Sequence, residues 1–194
     1  MTKLIAAAML LAAGFTANAT GTPAEDRVTI AVENQKAVVM QLNDLEEGTT
    51  ISLKDENGRV LFTDQAEAGD YGKVFNLKAL GEGELTLEIE SASRLEILPI
   101  EMTASAATIM ASDEMVVDKP VVKLTKEHAK VYFGAKTGAV KVTLFDSNDD
   151  IVYRHSLNGD TNKKSYDLSK LSAGTYKFQF KTGLRTFYHY ITLK

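Results

Sequence analysis

Glu84-Leu85-Thr86-Leu87-Glu88-Ile89-Glu90 and, in the matching place 91 positions on, Tyr176-Lys177-Phe178-Gln179-Phe180-Lys181 decide the fold of this chain. Each alternates polar with apolar side chains, the period of a β-strand with one face buried and the other in water. The same offset of 91 lays Val28–Thr103 on Lys119–Lys194 without a gap. It sets Asp55 on Asp146, Phe75 on Tyr166, Leu77 on Leu168, Leu80 on Leu171, Gly83 on Gly174, Arg94 on Arg185 and Ile100 on Ile191. A repeat of this length is a small domain occurring twice, because solenoid units run to about 20 to 50 residues.

Working outward, Ile51-Ser52-Leu53 and Val142-Thr143-Leu144 form a second matched pair. Val60-Leu61-Phe62 and Ile151-Val152-Tyr153 follow them after a turn. Asn57-Gly58 is a preferred hairpin dipeptide, since both residues tolerate positive φ; the second copy has Asn148 and Asp149 there. Val28–Val32, Lys36–Leu42, Lys73–Leu77 and Leu95–Met102 bring the total to about seven short strands per copy, the pattern of an immunoglobulin-like sandwich. The expected fold is therefore all-β, with two tandem immunoglobulin-like β-sandwich domains over 20–103 and 119–194. The small-residue stretch within 104–118 is expected as a linker, with Pro120 marking entry to the second domain. Its apolar content leaves a short docked strand or helix as the other reading.

The chain starts with Lys3 as its only early positive charge, then an apolar run from Leu4 to Phe15, too short to span a bilayer. Ala17-Asn18-Ala19 supplies the small-x-small pattern of a cleavage site, so 1–19 reads as a signal peptide cut after Ala19. No transmembrane segment is expected after cleavage. The 194 residues include no cysteine, which removes disulfides and thiolate chemistry from an exported protein and suits a bacterial periplasm, cell surface or exterior.

Tyr166-Asp167-Leu168-Ser169-Lys170-Leu171-Ser172-Ala173-Gly174-Thr175-Tyr176, followed by Lys181-Thr182-Gly183, carries a resemblance. The second copy resembles the C-terminal sorting domains of proteins exported by the type IX (Por) secretion system of Bacteroidetes, small immunoglobulin-like β-sandwiches with the rhythm D-L-S-x-L-x-x-G-x-Y. Val142–Asp146 and the terminal Ile191-Thr192-Leu193-Lys194 match the other ends of that pattern. The Pro-Asn-Pro that often opens such a domain is absent, Lys119-Pro120 being the nearest equivalent. The resemblance implies a sorting role for the corner of Leu168, Leu171, Gly174 and Tyr176, and a secreted cargo. The same residues have a structural reading: the leucines close a core, Gly174 permits a positive φ, and Tyr176 begins a buried-face strand.

No nucleophile elbow, phosphate loop or paired nucleophile and base is present, so no enzyme and no cofactor are expected. His128, His155 and His189 lack metal-ligand spacing. Asp146-Ser147-Asn148-Asp149-Asp150 starts like a calcium loop, but Ile151 and Leu157 stand where an EF-hand needs glycine and glutamate. A hairpin turn is the main reading and a weak calcium site the other. Charge divides the copies: 20–103 holds 17 acidic and 7 basic side chains, net −10, whereas 119–194 holds 6 and 14, net +8, within an overall −4. The expected partners are an envelope protein or an anionic glycan, or another domain through head-to-tail self-association; export and overall acidity argue against nucleic acid.

On the last strand, Phe187, His189, Ile191 and Leu193 are assigned to the core. That leaves Tyr188 and Tyr190 outside, and with Arg185 and Lys177 they form the expected contact surface. The function expected first is a non-catalytic interaction or structural module acting through sandwich surfaces at the cell envelope. The alternatives are a small secreted cargo with a sorting-like domain and a carbohydrate-binding module.

Overall fold

The computed structural model describes residues 28–33 and 37–194, with side chains from Ala37 onward. The signal-peptide reading, with Ala17 and Ala19, lies outside the described residues. Among the described residues the structure is all-β, broken only by a three-residue 3-10 turn at Ala111–Asp113.

In the first unit, β1 (Val28–Glu33), β2 (Ala37–Leu45) and β5 (Gly69–Asn76) form an antiparallel sheet ordered β1-β2-β5. A second sheet runs β4 (Val60–Ala66), β3 (Thr49–Asp55), β6 (Gly83–Glu90), β7 (Arg94–Met102) and β8 (Ala107–Ile109). In the second unit, β10 (Val121–Leu124), β11 (His128–Tyr132) and β14 (Lys163–Asp167) form the sheet β10-β11-β14. Facing it is β13-β12-β15-β16, built from β13 (Ile151–Leu157), β12 (Val140–Phe145), β15 (Gly174–Lys181) and β16 (Thr186–Leu193). Both units thus put their first, second and fifth strands in one sheet and order the other fourth, third, sixth, seventh, the arrangement of an immunoglobulin-like sandwich.

The 91-residue offset survives at the level of single hydrogen bonds. β4 and β13 begin and end 91 residues apart, as do β6 and β15. The β3–β4 ladder shifts register between Leu53 and Lys54, and the β12–β13 ladder between Leu144 and Phe145, again 91 apart. Beyond each shift, Asp55 Oδ1 accepts the backbone N–H groups of Asn57 and Arg59, and Asp146 Oδ1 those of Asn148 and Asp150. The Asp146–Asp150 stretch is therefore a hairpin turn whose first carboxylate serves the backbone. Gly58 takes φ +74° there, and Asp149, in the same place, φ 64°.

The cores follow the alternation. In the first unit Val38, Met40, Leu42, Ile51, Leu53, Phe75, Leu77 and Leu87 are buried in one cluster. In the second the equivalent cluster is richer in aromatics: Phe178 meets Tyr166 edge-on at 5.2 Å and stacks on Phe180 at 5.6 Å. Such aromatic contacts are worth about 0.5–1.5 kcal/mol beyond the area they bury. Among the described residues no buried side-chain polar atom lacks a partner.

Within 104–118, expected as a linker with a docked strand or helix as the other reading, two short segments pair into sheets. β8 pairs antiparallel with β7, Ile100 opposite Ile109 and Met102 opposite Ala107. Its Ala107 is buried, because the open edge of β7 offers unpaired backbone groups that a short extended segment satisfies. β9 (Met115–Asp118) also pairs with β7, whose first residues, Arg94 and Leu95, fall with Val116–Lys194 in the second unit. There Asp118 takes Arg94 Nε at 3.0 Å and the Lys136 amide at 2.9 Å. Among the described residues the first unit thus runs to Ala92 and resumes over Glu96–Met115, and the second comprises Ser93–Leu95 and Val116–Lys194.

Candidate functional site

The corner before β15 is built from the chain outward. Asp167 Oδ1 accepts the Ser169 N–H at 2.9 Å, and Leu171 N–H closes a turn on the Leu168 carbonyl at 3.0 Å. Hydrogen bonding from Ser169 holds the Asp167 carboxyl below its ordinary pKa. Leu168 is 2% exposed, and Leu171, half-buried, packs against the same cluster. Gly174 then adopts φ +155°, in a region closed to ordinary side chains. Tyr176 follows, its ring 7% exposed and its hydroxyl donating to the Ser172 carbonyl at 2.9 Å. That bond, from a tyrosine at a strand start to a carbonyl a few residues upstream, has the form of the tyrosine corner of immunoglobulin-like sandwiches. The first unit repeats the corner with Asn76 accepting from Lys78, Leu80 N–H on the Leu77 carbonyl, and Gly83 at φ +140°, but has Leu85 in place of the tyrosine.

Register defines the outer face of the β13-β12-β15-β16 sheet, since residues opposite one another share a face. One row reads Ser156, Lys141, Lys181, Thr186; the next Arg154, Thr143, Gln179, Tyr188; the next Ile151, Phe145, Lys177, Tyr190. Tyr188 and Tyr190 are 55% and 65% exposed. Gln179 Nε2 donates to Tyr188 Oη at 3.2 Å. Lys177 binds Asp149 at 2.5 Å and lies 5.0 Å over the Phe145 ring; the Asp149 hydrogen bond raises its pKa. Arg185 stands outside this grid, half-buried in the turn before β16, where its N–H donates to Thr182 Oγ1 and its carbonyl accepts from Thr182.

His189 departs from expectation. Ile191 is buried and Phe187 and Leu193 are half-buried, but His189 is exposed. β16 is the outermost strand of a four-stranded sheet facing one of three strands, so its middle is left uncovered. His155, which the sequence left without a role, stacks on Tyr166 at 5.3 Å with its Nε2 3.0 Å from the Tyr166 hydroxyl. Burial, then the charge of Lys164, depresses the His155 pKa, and burial raises that of Tyr166. Among the described residues no group of three His, Asp or Glu side chains is placed to hold a metal ion, and no helix is long and apolar enough to cross a membrane.

Residues 125–194 match the family model of the secretion system C-terminal sorting domain. The resemblance carried by 142–146, 166–176, 181–183 and 191–194 is thus matched from the β10–β11 turn to Lys194, and a domain of this kind implies a secreted or cell-surface protein. No curated protein matches the chain in sequence. Among solved structures, the BSP domain of a biofilm-associated protein aligns with 87% of this chain at 14% identity and TM-score 0.32, the chain spanning 29% of that one. A two-domain fibronectin type III segment of chicken tenascin aligns with 85% of this chain and 97% of its own length, at 6% identity and TM-score 0.31. The human OSCAR ligand-binding domain covers 86% of this chain and 94% of its own length, at 8% identity and TM-score 0.26.

Proposed function

We propose that the chain is a small exported cargo whose second unit addresses it to a type IX-type secretion system, and whose first unit is the delivered, non-catalytic interaction module. The observation that carries this is the sorting-domain match over 125–194, together with the corner geometry at Asp167–Tyr176. The first unit supports the passenger role, since it repeats the fold but lacks the corner tyrosine and reverses the charge. Reading it as a module that acts by surface contact rests on the absence of any catalytic motif in its sequence.

The test is expression in a bacterium possessing such a system, comparing the full chain with one lacking 119–194. Full-length protein is expected in the medium or on the cell surface, and the truncated chain in the periplasm. Equal release of both would sink the reading. Mass spectrometry of the released protein then shows how the second unit is handled. A C terminus upstream of 119 means removal after export, and one at Lys194 means that the two units remain together.

A further inference from the structure

Lys141 and Lys181 stand directly opposite one another in the β12–β15 ladder. Like charges so placed repel and destabilise a sheet. The fold does not need them, because the first unit fills the same two positions with Thr50 and Glu90, also directly opposite. Neither lysine pairs with a carboxylate among the described residues, whereas Lys177, on the same face, is engaged by Asp149.

The two lysines border an open groove of about 380 Å³ at the end of the sheet, lined also by Ser156, Thr182 and the apolar Ala139, Val140 and Leu157. The adjoining rows present Tyr188, oriented by Gln179, and then Tyr190. With a rise of about 3.4 Å per residue, successive rows lie about 7 Å apart. The face therefore aligns a pair of facing lysines, a row with Arg154, Gln179 and Tyr188, and a row ending in Tyr190, with the two exposed tyrosines successive along one face of β16. Sugar rings offer C–H faces to aromatics, hydroxyls to polar side chains and, in uronates, carboxylates to paired cations. A protein partner would instead call for a dry apolar centre; here the apolar side chains Ile151 and Phe145 are confined to the row of Lys177 and Tyr190, and the opposite end of the face is the lysine pair. The other basic patch, around Tyr132, differs because its lysines 123 and 163 each lie 5.5 Å from the Tyr132 ring and engage it.

We propose that the outer face of the β13-β12-β15-β16 sheet binds a linear acidic polysaccharide, its carboxylates between Lys141 and Lys181 and its rings on Tyr188 and Tyr190. The experiment is affinity electrophoresis and calorimetry of the full chain with polygalacturonate, neutral dextran and phosphatidylglycerol vesicles at physiological salt. Retention by polygalacturonate and none by dextran is expected. Lys141→Thr with Lys181→Glu, which copies the first unit's pairing and so preserves the fold, is expected to weaken binding at least tenfold, and Tyr188→Ala with Tyr190→Ala at least fivefold. Lys123→Thr with Lys130→Glu, on the opposite sheet and equal in charge change, is expected to change it less than twofold. The proposal is overturned by no retention on polygalacturonate, by retention on vesicles alone, or by equal losses from both lysine pairs, which would mark a response to net charge. None of these readouts depends on export.

Discussion

Asp149 holds φ 64° where its counterpart Gly58 holds φ +74°, so the two copies solve one turn with different residues. Aspartate tolerates the left-handed region better than most residues, but glycine carries no penalty there. A Cβ on Gly58 would meet no atom within 4 Å, so Gly58→Ala isolates the backbone cost. It should lower stability by about 1–2 kcal/mol in urea denaturation. His155 gives a second prediction at this scale. Its folded pKa lies below the ordinary 6.5, so as pH falls through about 6.5 the unfolded chain takes up the proton first and stability declines. The melting temperature of the full chain should therefore fall between pH 7 and pH 5, and by less in His155→Gln. An equal fall in both proteins would remove His155 from the account. The pairing of His155 with Tyr166 did not stand out in the sequence, because it joins β13 to β14 across the sandwich, and alternation reports only which face a residue occupies.

The corner between β14 and β15 was legible because it is local: an Asx residue, two leucines, a glycine and a strand start within ten positions. Its parts should separate energetically. Leu168→Ala, at a nearly inaccessible site, should cost about 2–5 kcal/mol, and Leu171→Ala, half-buried, clearly less. Tyr176→Phe should cost about 1 kcal/mol through loss of the Ser172 hydrogen bond. Similar losses for Leu168→Ala and Leu171→Ala would mean that the two leucines do not divide the core as their burial indicates. The strands with strict alternation, β6 and β15, were equally legible. β8 was legible only as the alternative of a docked strand or helix, because Ala107-Thr108-Ile109 has too few residues for any period to show and becomes a strand only by pairing with β7. The exposure of His189 was hidden for a related reason. Alternation assigned it to the inner face correctly, but whether that face is covered depends on how many strands lie opposite.

Across the whole molecule, what the two copies share is the strand order, the register shifts, the Asp-anchored hairpin and the Leu-Leu-Gly corner; what they do not share is the surface. Net charge passes from −10 to +8. Duplication preserved the interactions that make the sandwich, while surface positions, free of packing constraints, diverged. That divergence is the reason to assign delivery to one copy and the delivered surface to the other. The most direct test is transplantation: 119–194 fused behind a periplasmic reporter, in a strain with an intact type IX system and in one lacking it. If 119–194 directs export, reporter reaches the cell surface or the medium of the first strain only. Reporter retained in the periplasm of both strains would contradict it.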